Sequence, residues 1–316
     1  MAIKGKQLKK LTEAYLDGLR TGSSEWIPFL DTASRMYKYR FANQLAVYLQ
    51  KPEATAATTM YQWNRMGRSI NRGCKGIRLN EQDRFDTSIY IFDADDTHNR
   101  IGQNVQVRLW EVSENETFRE RISEQLAELY QISSDMELSD LIQEAAKEAV
   151  DAEYLEWVDQ VTEENPELCT AEFADDLDRL YAFIIKSAQY VTLRRCGMEV
   201  SRYSEEDFNL TEIQEGRLLQ QEMLQEIGSI VQRSAESVLV CIEKEAKALL
   251  VRERTLLYNQ QKENQRRKEK EDGLTERGNQ LQEDGERLPS GISGGQRGAD
   301  LRRNRGQVRN DESTVS

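Results

Sequence analysis

Apolar residues recur every three or four positions along most of this chain, and one stretch breaks that rhythm. Leu8, Leu11, Tyr15 and Leu19 fall on one face of a helix expected over residues 6–21, ending near Gly22. A second helix is expected around 25–37. Phe41, Leu45 and Tyr48 or Leu49 mark a third, which Pro52 stops because its ring cannot continue a helix. Residues 59–67 predict a short helix carrying Trp63. The period then drops to two. Residues 68–71 and 77–79, on either side of the Gly-containing turn 72–76, read as a β-hairpin, and 87–92 and 105–110 read as further strands.

From residue 113 onward the helical period returns without interruption. Ser113-x-x-Glu116, Ser134-x-x-Glu137 and Thr211-x-x-Gln214 have the form of capping boxes, in which side chains at the two ends satisfy the first free N–H groups of a helix. Packing stripes follow: Phe118, Ile122, Leu126 and Leu129; Leu138, Leu141, Ile142, Ala145 and Ala149; Leu177, Leu180, Tyr181, Ile184 and Ala188. A long helix from Leu218 to about Leu257 carries Leu224, Ile227, Val231, Val238, Ile242 and Leu249, and continues as a polar helix through Glu269. Past Glu271 the chain is rich in Gly, Arg, Gln and Glu, too poor in aliphatic residues to offset the entropy of ordering, and is expected to be disordered. The expected class is α+β: a small N-terminal domain with a short antiparallel sheet and helices (1–112), an all-α acidic helical region (113–270) and a disordered C-terminal tail (271–316).

Charge changes this picture. The 316 residues carry a net −13, yet residues 1–110 hold 17 Lys/Arg against 11 Asp/Glu, net +6, while 111–258 are net −20 and 259–316 are net +1. Between Arg35 and Arg78 the contrast is sharper: nine basic residues face one acid, Glu53, with Tyr37, Tyr39, Phe41, Tyr48, Tyr61 and Trp63 interleaved. Cations that neutralise phosphates beside flat rings that stack on bases are what an unpaired strand requires.

Candidate chemistry is sparse elsewhere. Four cysteines stand singly and His98 is the one histidine, so neither a Cys/His zinc site nor a nucleophile with an imidazole base is expected. Asp93, Asp95 and Asp96 could hold Mg²⁺, but acidic turns at strand ends are common and no Lys or His is placed beside them for catalysis. No metal, cofactor or enzymatic activity is expected. The apolar runs fall short of the roughly 20 residues that span a bilayer, and the start lacks an export signal, so no membrane partner is expected and a cytoplasmic location is.

The nucleic-acid candidates are Lys38, Arg40, Gln44, Tyr48, Lys51, Trp63, Asn64, Arg68, Arg72 and Lys75. Lys and Arg would contact phosphate, with Arg72 and Lys75 at the hairpin tip. Gln44 and Asn64 carry amides suited to base edges, or sit on a helix surface. Trp63 is a stacking platform or the core anchor of its short helix, the core being favoured. Phe41 and one of Tyr37 or Tyr39 are expected to pack inward.

Tyr37-Lys-Tyr-Arg-Phe-Ala-Asn-Gln44, Tyr48-Leu-Gln-Lys-Pro-Glu-Ala-Thr55, Trp63-Asn64 and Asn71-Arg-Gly-Cys-Lys-Gly-Ile77 resemble the N-terminal single-stranded DNA-binding domain of ArdC-type antirestriction proteins. They are most similar to its LtrC-like version, at the front of large helicase and methylase proteins of conjugative elements. The resemblance covers roughly residues 20–110. It implies non-enzymatic binding of single-stranded DNA on a mobile element, in conjugative transfer or antirestriction, with conjugation or restriction proteins as further partners. The His-Glu-x-x-His motif of ArdC proteins is absent, as is a Walker-type glycine loop. The alternative function is an acidic helical protein-interaction module, or a DNA mimic, built on residues 113–258.

Overall fold

The computed structural model describes residues 3–82, 87–107, 109–113, 115–164, 166 and 170–285, and side chains for all of these except 81–82, 253–254 and 267–285. Met1–Arg254 form one compact unit and Thr255–Ser316 a second, whose described part is helical. The architecture is α+β. Helix α1 (Gly5–Thr21) ends where Gly22 takes φ +72°, a left-handed turn that residues with a Cβ rarely adopt, and Ser23 N–H donates back to Gly18 O at 2.7 Å. Helix α2 (Ile27–Arg35) starts on a proline in its first turn, where no N–H is needed. Helix α3 spans Phe41–Gln50 and the short α4 spans Met60–Arg65, with Thr59 Oγ1 accepting from Gln62 N–H.

Among the described residues there are five strands: β1 (Ala57–Thr59), β2 (Arg68–Ile70), β3 (Ile77–Gln82), β4 (Ser88–Asp93) and β5 (Thr97–Asn99). They form two antiparallel sheets, one in the order β1-β4-β3 and the other pairing β2 with β5. The hairpin expected around residues 72–76 does not form. β2 and β3 are consecutive in sequence but pair in different sheets, Arg68 opposite Asn99 and Ile77 opposite Ile91. The expected strand over 105–110 is also absent among its described residues. There Val105 N–H donates to Asn99 Oδ1 and its carbonyl accepts from Arg68, so side chains take up backbone groups that a ladder would otherwise pair.

The acidic region holds α5 (Glu116–Tyr130), α6 (Leu138–Glu164), α7 (Ala171–Arg195) and α8 (Gln221–Gly285). None of the three expected capping boxes forms as expected: α6 starts at Leu138, so Glu137 and not Ser134 stands just before it. Asn115, not Ser113, caps α5 by accepting from Phe118 N–H at 3.1 Å, and no helix starts at Thr211, where Gln214 N–H donates to the buried Asp176. The long helix outruns its expected end at Glu269 and reaches Gly285, so residues 271–285 of the expected tail are helical; 286–316 lie outside the described residues. No helix among the described residues is long and apolar enough to cross a membrane.

The main core runs from Tyr15 to Ala246 and crosses residue 112 without a break. Trp26 packs 5.3 Å from Phe183 and its indole N–H donates to Ser187 Oγ at 2.8 Å. Phe41 lies against α8 so closely that a Cβ on Gly228 would stand 2.4 Å from its ring. A second, smaller core of Met36, Val47, Ala54, Ile77, Leu79 and Ile91 joins the three-stranded sheet to α3. Helix α3 thus serves both cores, Phe41 and Leu45 on one and Val47 on the other.

Candidate nucleic-acid interface

Between α2 and α3 the chain passes through residues 36–40, and Arg40 enters α3 in an extended conformation. The reversal of side chains in this link sends Tyr37 and Phe41 inward, 5% and 2% exposed, and leaves Lys38 and Arg40 on the surface. Tyr37 and Lys38 thereby meet α8. Glu243 of that helix, almost fully buried, accepts from Tyr37 Oη at 2.9 Å, from Lys38 Nζ at 2.7 Å and pairs with Lys247 Nζ at 2.6 Å. Trp110 Nε1–H donates to Tyr37 Oη at 3.0 Å. An indole nitrogen can only donate, so the tyrosine's own proton points at Glu243.

Arg195 closes this side. Its guanidinium lies 3.6 Å from the Trp110 ring centroid and donates to Trp110 O at 2.9 Å. Burial lowers the pKa of Arg195, and also that of Arg35, whose Nε donates to Ala54 O at 2.7 Å. Both charges rest on carbonyls and hold no ion pair with a carboxylate among the described residues, so each would gain from an anion brought near it. Burial pushes Glu243 up, but its bonds from Lys247, Lys38 and Tyr37 outweigh that and hold its pKa below the usual carboxylate value.

These residues line a cleft of about 760 Å³. The cleft is also lined by Tyr39, whose hydroxyl donates to Ala57 O, by Trp63, whose indole N–H donates to Phe92 O, and by the exposed Met66, Val107 and Leu109. Among the described residues, four cations (Arg35, Lys38, Arg195 and Lys247) face the cleft against one carboxylate, Glu243. Flat and apolar surfaces therefore sit beside a local excess of positive charge.

The ten residues singled out from sequence do not gather at one place. Lys38 and Trp63 line this cleft, Trp63 with its ring only 2% exposed. Gln44 is buried and donates to Met36 O at 3.2 Å, and Tyr48 packs edge-on to Tyr15 and Phe29. Arg68 is consumed internally: its guanidinium donates to Thr97 Oγ1, Thr97 O and Val105 O, tying β2 to β5 and to the following loop. Asn64 accepts from Arg100, and Arg40 is exposed at the start of α3.

Lys51 and Lys75 line a second cleft, of about 880 Å³, with Lys4. Lys51 is paired there with Asp96 at 3.0 Å and Asp93 at 3.6 Å; burial lowers its pKa, but the bond to Asp96 and the nearby acids raise it on balance. Asp93 in turn accepts from the N–H groups of Thr55 and Ala56, so this acidic turn fastens the chain after α3. Arg72 and Lys75 are exposed in the 71–76 loop and hold no partner among the described residues. Sequence reasoning missed Arg35, Arg195 and Lys247. The last two lie in the strongly acidic segment, where averaged charge hides them, and Arg195 could have been noticed as a cation in the last turn of a long helix.

No protein-family model matches the chain, and no curated protein matches its sequence. Among solved structures it is similar to the metal-free crystal structure of the antirestriction protein ArdC from plasmid R388. The two chains are 11% identical, and the match covers 76% of this chain and 98% of that one with a TM-score of 0.41.

Proposed function

We propose that this chain binds single-stranded DNA in the cleft between Lys38 and Leu109, and that it binds the strand without transforming it. The observation that carries the reading is the cleft's composition: among the described residues, four cations against one carboxylate, facing Tyr39, Met66, Val107 and Leu109. Cations serve the phosphates of a strand, and flat or apolar walls serve its exposed bases. A duplex keeps its bases stacked inside and offers such walls nothing. The exposed Arg72, Lys75 and Tyr61 offer the same chemistry elsewhere on the surface.

That the strand is DNA in transfer rests on the resemblance of residues 20–110 to the single-stranded DNA-binding domain of ArdC-type proteins. The biological outcome proposed is protection of incoming DNA in the cytoplasm, during conjugation or against restriction. Fluorescence anisotropy of the full chain with labelled single- and double-stranded oligonucleotides across a salt series tests the reading. Single strands are expected to bind more tightly, with log affinity falling by about 0.7 per log unit of salt for each phosphate contacted. Equal weak affinity for both forms, or no salt dependence, would sink it.

A further inference from the structure

One group in the cleft has the wrong sign for a strand-binding surface. Glu243 is 7% exposed and stands among the cations, with both carboxylate oxygens taken by donors: Tyr37 Oη on one, Lys247 Nζ on the other and Lys38 Nζ within reach of both. Three donors that converge on a small anion form a seat for an oxyanion of any kind. The seat is shaped before any ligand arrives. Tyr37 cannot turn its proton elsewhere, because Trp110 N–H already occupies the lone pair on its other side, and Gln232 Nε2 holds the backbone carbonyl of the same tyrosine at 3.2 Å. The two ammonium groups remain open to solvent on their outer faces, with side chains 49% and 62% exposed.

We propose that Tyr37, Lys38 and Lys247 form a phosphate seat which Glu243 fills in the unliganded protein, so that Glu243 competes with a phosphate of the bound strand and sets the affinity of the cleft. The inference rests on the single-strand reading of this cleft and adds its regulation. A strand phosphate enters from the open side of Lys38 and Lys247, takes over their charge, and leaves Glu243 to turn away along α8. The carboxylate therefore lowers affinity for every nucleic acid alike and keeps the seat ordered while it is empty. Loss of its charge frees two cations at once.

The test compares full-length wild type, Glu243→Gln and Glu243→Gln with Lys247→Gln by anisotropy of a labelled single-stranded oligothymidylate over a sodium chloride series. Glu243→Gln keeps an acceptor for Tyr37 but removes the charge. It is expected to bind roughly two- to thirtyfold more tightly, the worth of two part-exposed ion pairs. Its salt slope is expected to be at least as steep as that of wild type, because the same phosphate contacts form with no carboxylate to displace. Adding Lys247→Gln is expected to cancel most of the gain.

Binding by wild type that Glu243→Gln leaves unchanged or weakens overturns the competition while leaving the strand reading intact. Absence of binding in wild type and variants overturns both. Should Glu243→Gln fail to fold, Glu243→Asp decides. It keeps the charge but draws it back by one methylene, and affinity above wild type supports the seat while affinity at or below wild type overturns it.

Discussion

Lys38 shows how a single side chain can belong to both the folded core and the surface. Its ammonium is tied to Glu243 while half of the side chain meets solvent. Lys38→Ala is expected to weaken single-stranded DNA binding on the order of fivefold, the worth of one part-exposed charge contact. The salt slope should become shallower by about 0.7, one phosphate contact, in the same anisotropy titration. Glu243 gives a second expectation, for stability against pH. Its pKa is depressed in the folded state, so its stabilisation is complete above the ordinary carboxylate range and is lost as pH falls through the lowered value. Thermal melts below about pH 4 should show wild type losing stability more steeply than Glu243→Gln, because the glutamine has no proton to gain. Melting profiles of equal steepness would contradict that assignment.

At the scale of elements, helical segments were legible in sequence and strand pairing was not. Helix α3 ends at Gln50, before Pro52, because a strict three-and-four spacing meets a residue that cannot extend it. The pairing of residues 68–70 could not be read in the same way. A Gly-rich turn between two short apolar runs predicts a hairpin, but the partners were decided by Arg68, whose guanidinium reaches Thr97 and Val105, and by Ile77, which belongs to the small core with Ile91. Local spacing carries no information about contacts thirty residues away. Helix α8 adds an element-scale test. Phe41 fits over Gly228, where a Cβ would stand 2.4 Å from the ring, so Gly228→Ala must push the phenylalanine or the helix aside. Urea denaturation is expected to register a loss of about 1–3 kcal/mol, the usual penalty of overpacking.

The charge blocks along the chain do not coincide with separate cores. Trp26 of the basic block packs on Phe183 of the acidic one, Tyr37 bonds to Glu243, and the main cluster of buried residues runs through both. Residues 1–112 expressed alone would expose Trp26, Phe41 and Tyr37, each losing roughly 1.5–3 kcal/mol of burial, against a typical whole-domain stability of about 5–15 kcal/mol. That fragment is expected to lack a cooperative thermal transition, whereas residues 1–254 should melt as the full chain does, since they form one compact unit. Calorimetry on the two truncations checks this. The same interleaving explains why only part of the cleft was visible beforehand: Lys38 and Trp63 sit in the conspicuous basic stretch, while Arg195 and Lys247 are brought to it from helices whose sequence is acidic.

The stack of Arg195 on Trp110 has an optical consequence. Of the four tryptophans, Trp63 and Trp110 line the cleft, while Trp26 and Trp157 are core residues that do not. Trp110 has a cation against one face of its ring and its N–H at the head of a hydrogen-bonded relay through Tyr37 to Glu243. Its excited state is therefore coupled to the electrostatics of the seat. Displacement of Glu243 by a phosphate should shift the intrinsic emission of the unlabelled protein, and Trp110→Phe should silence most of that signal, so that the protein carries its own reporter of an occupied cleft.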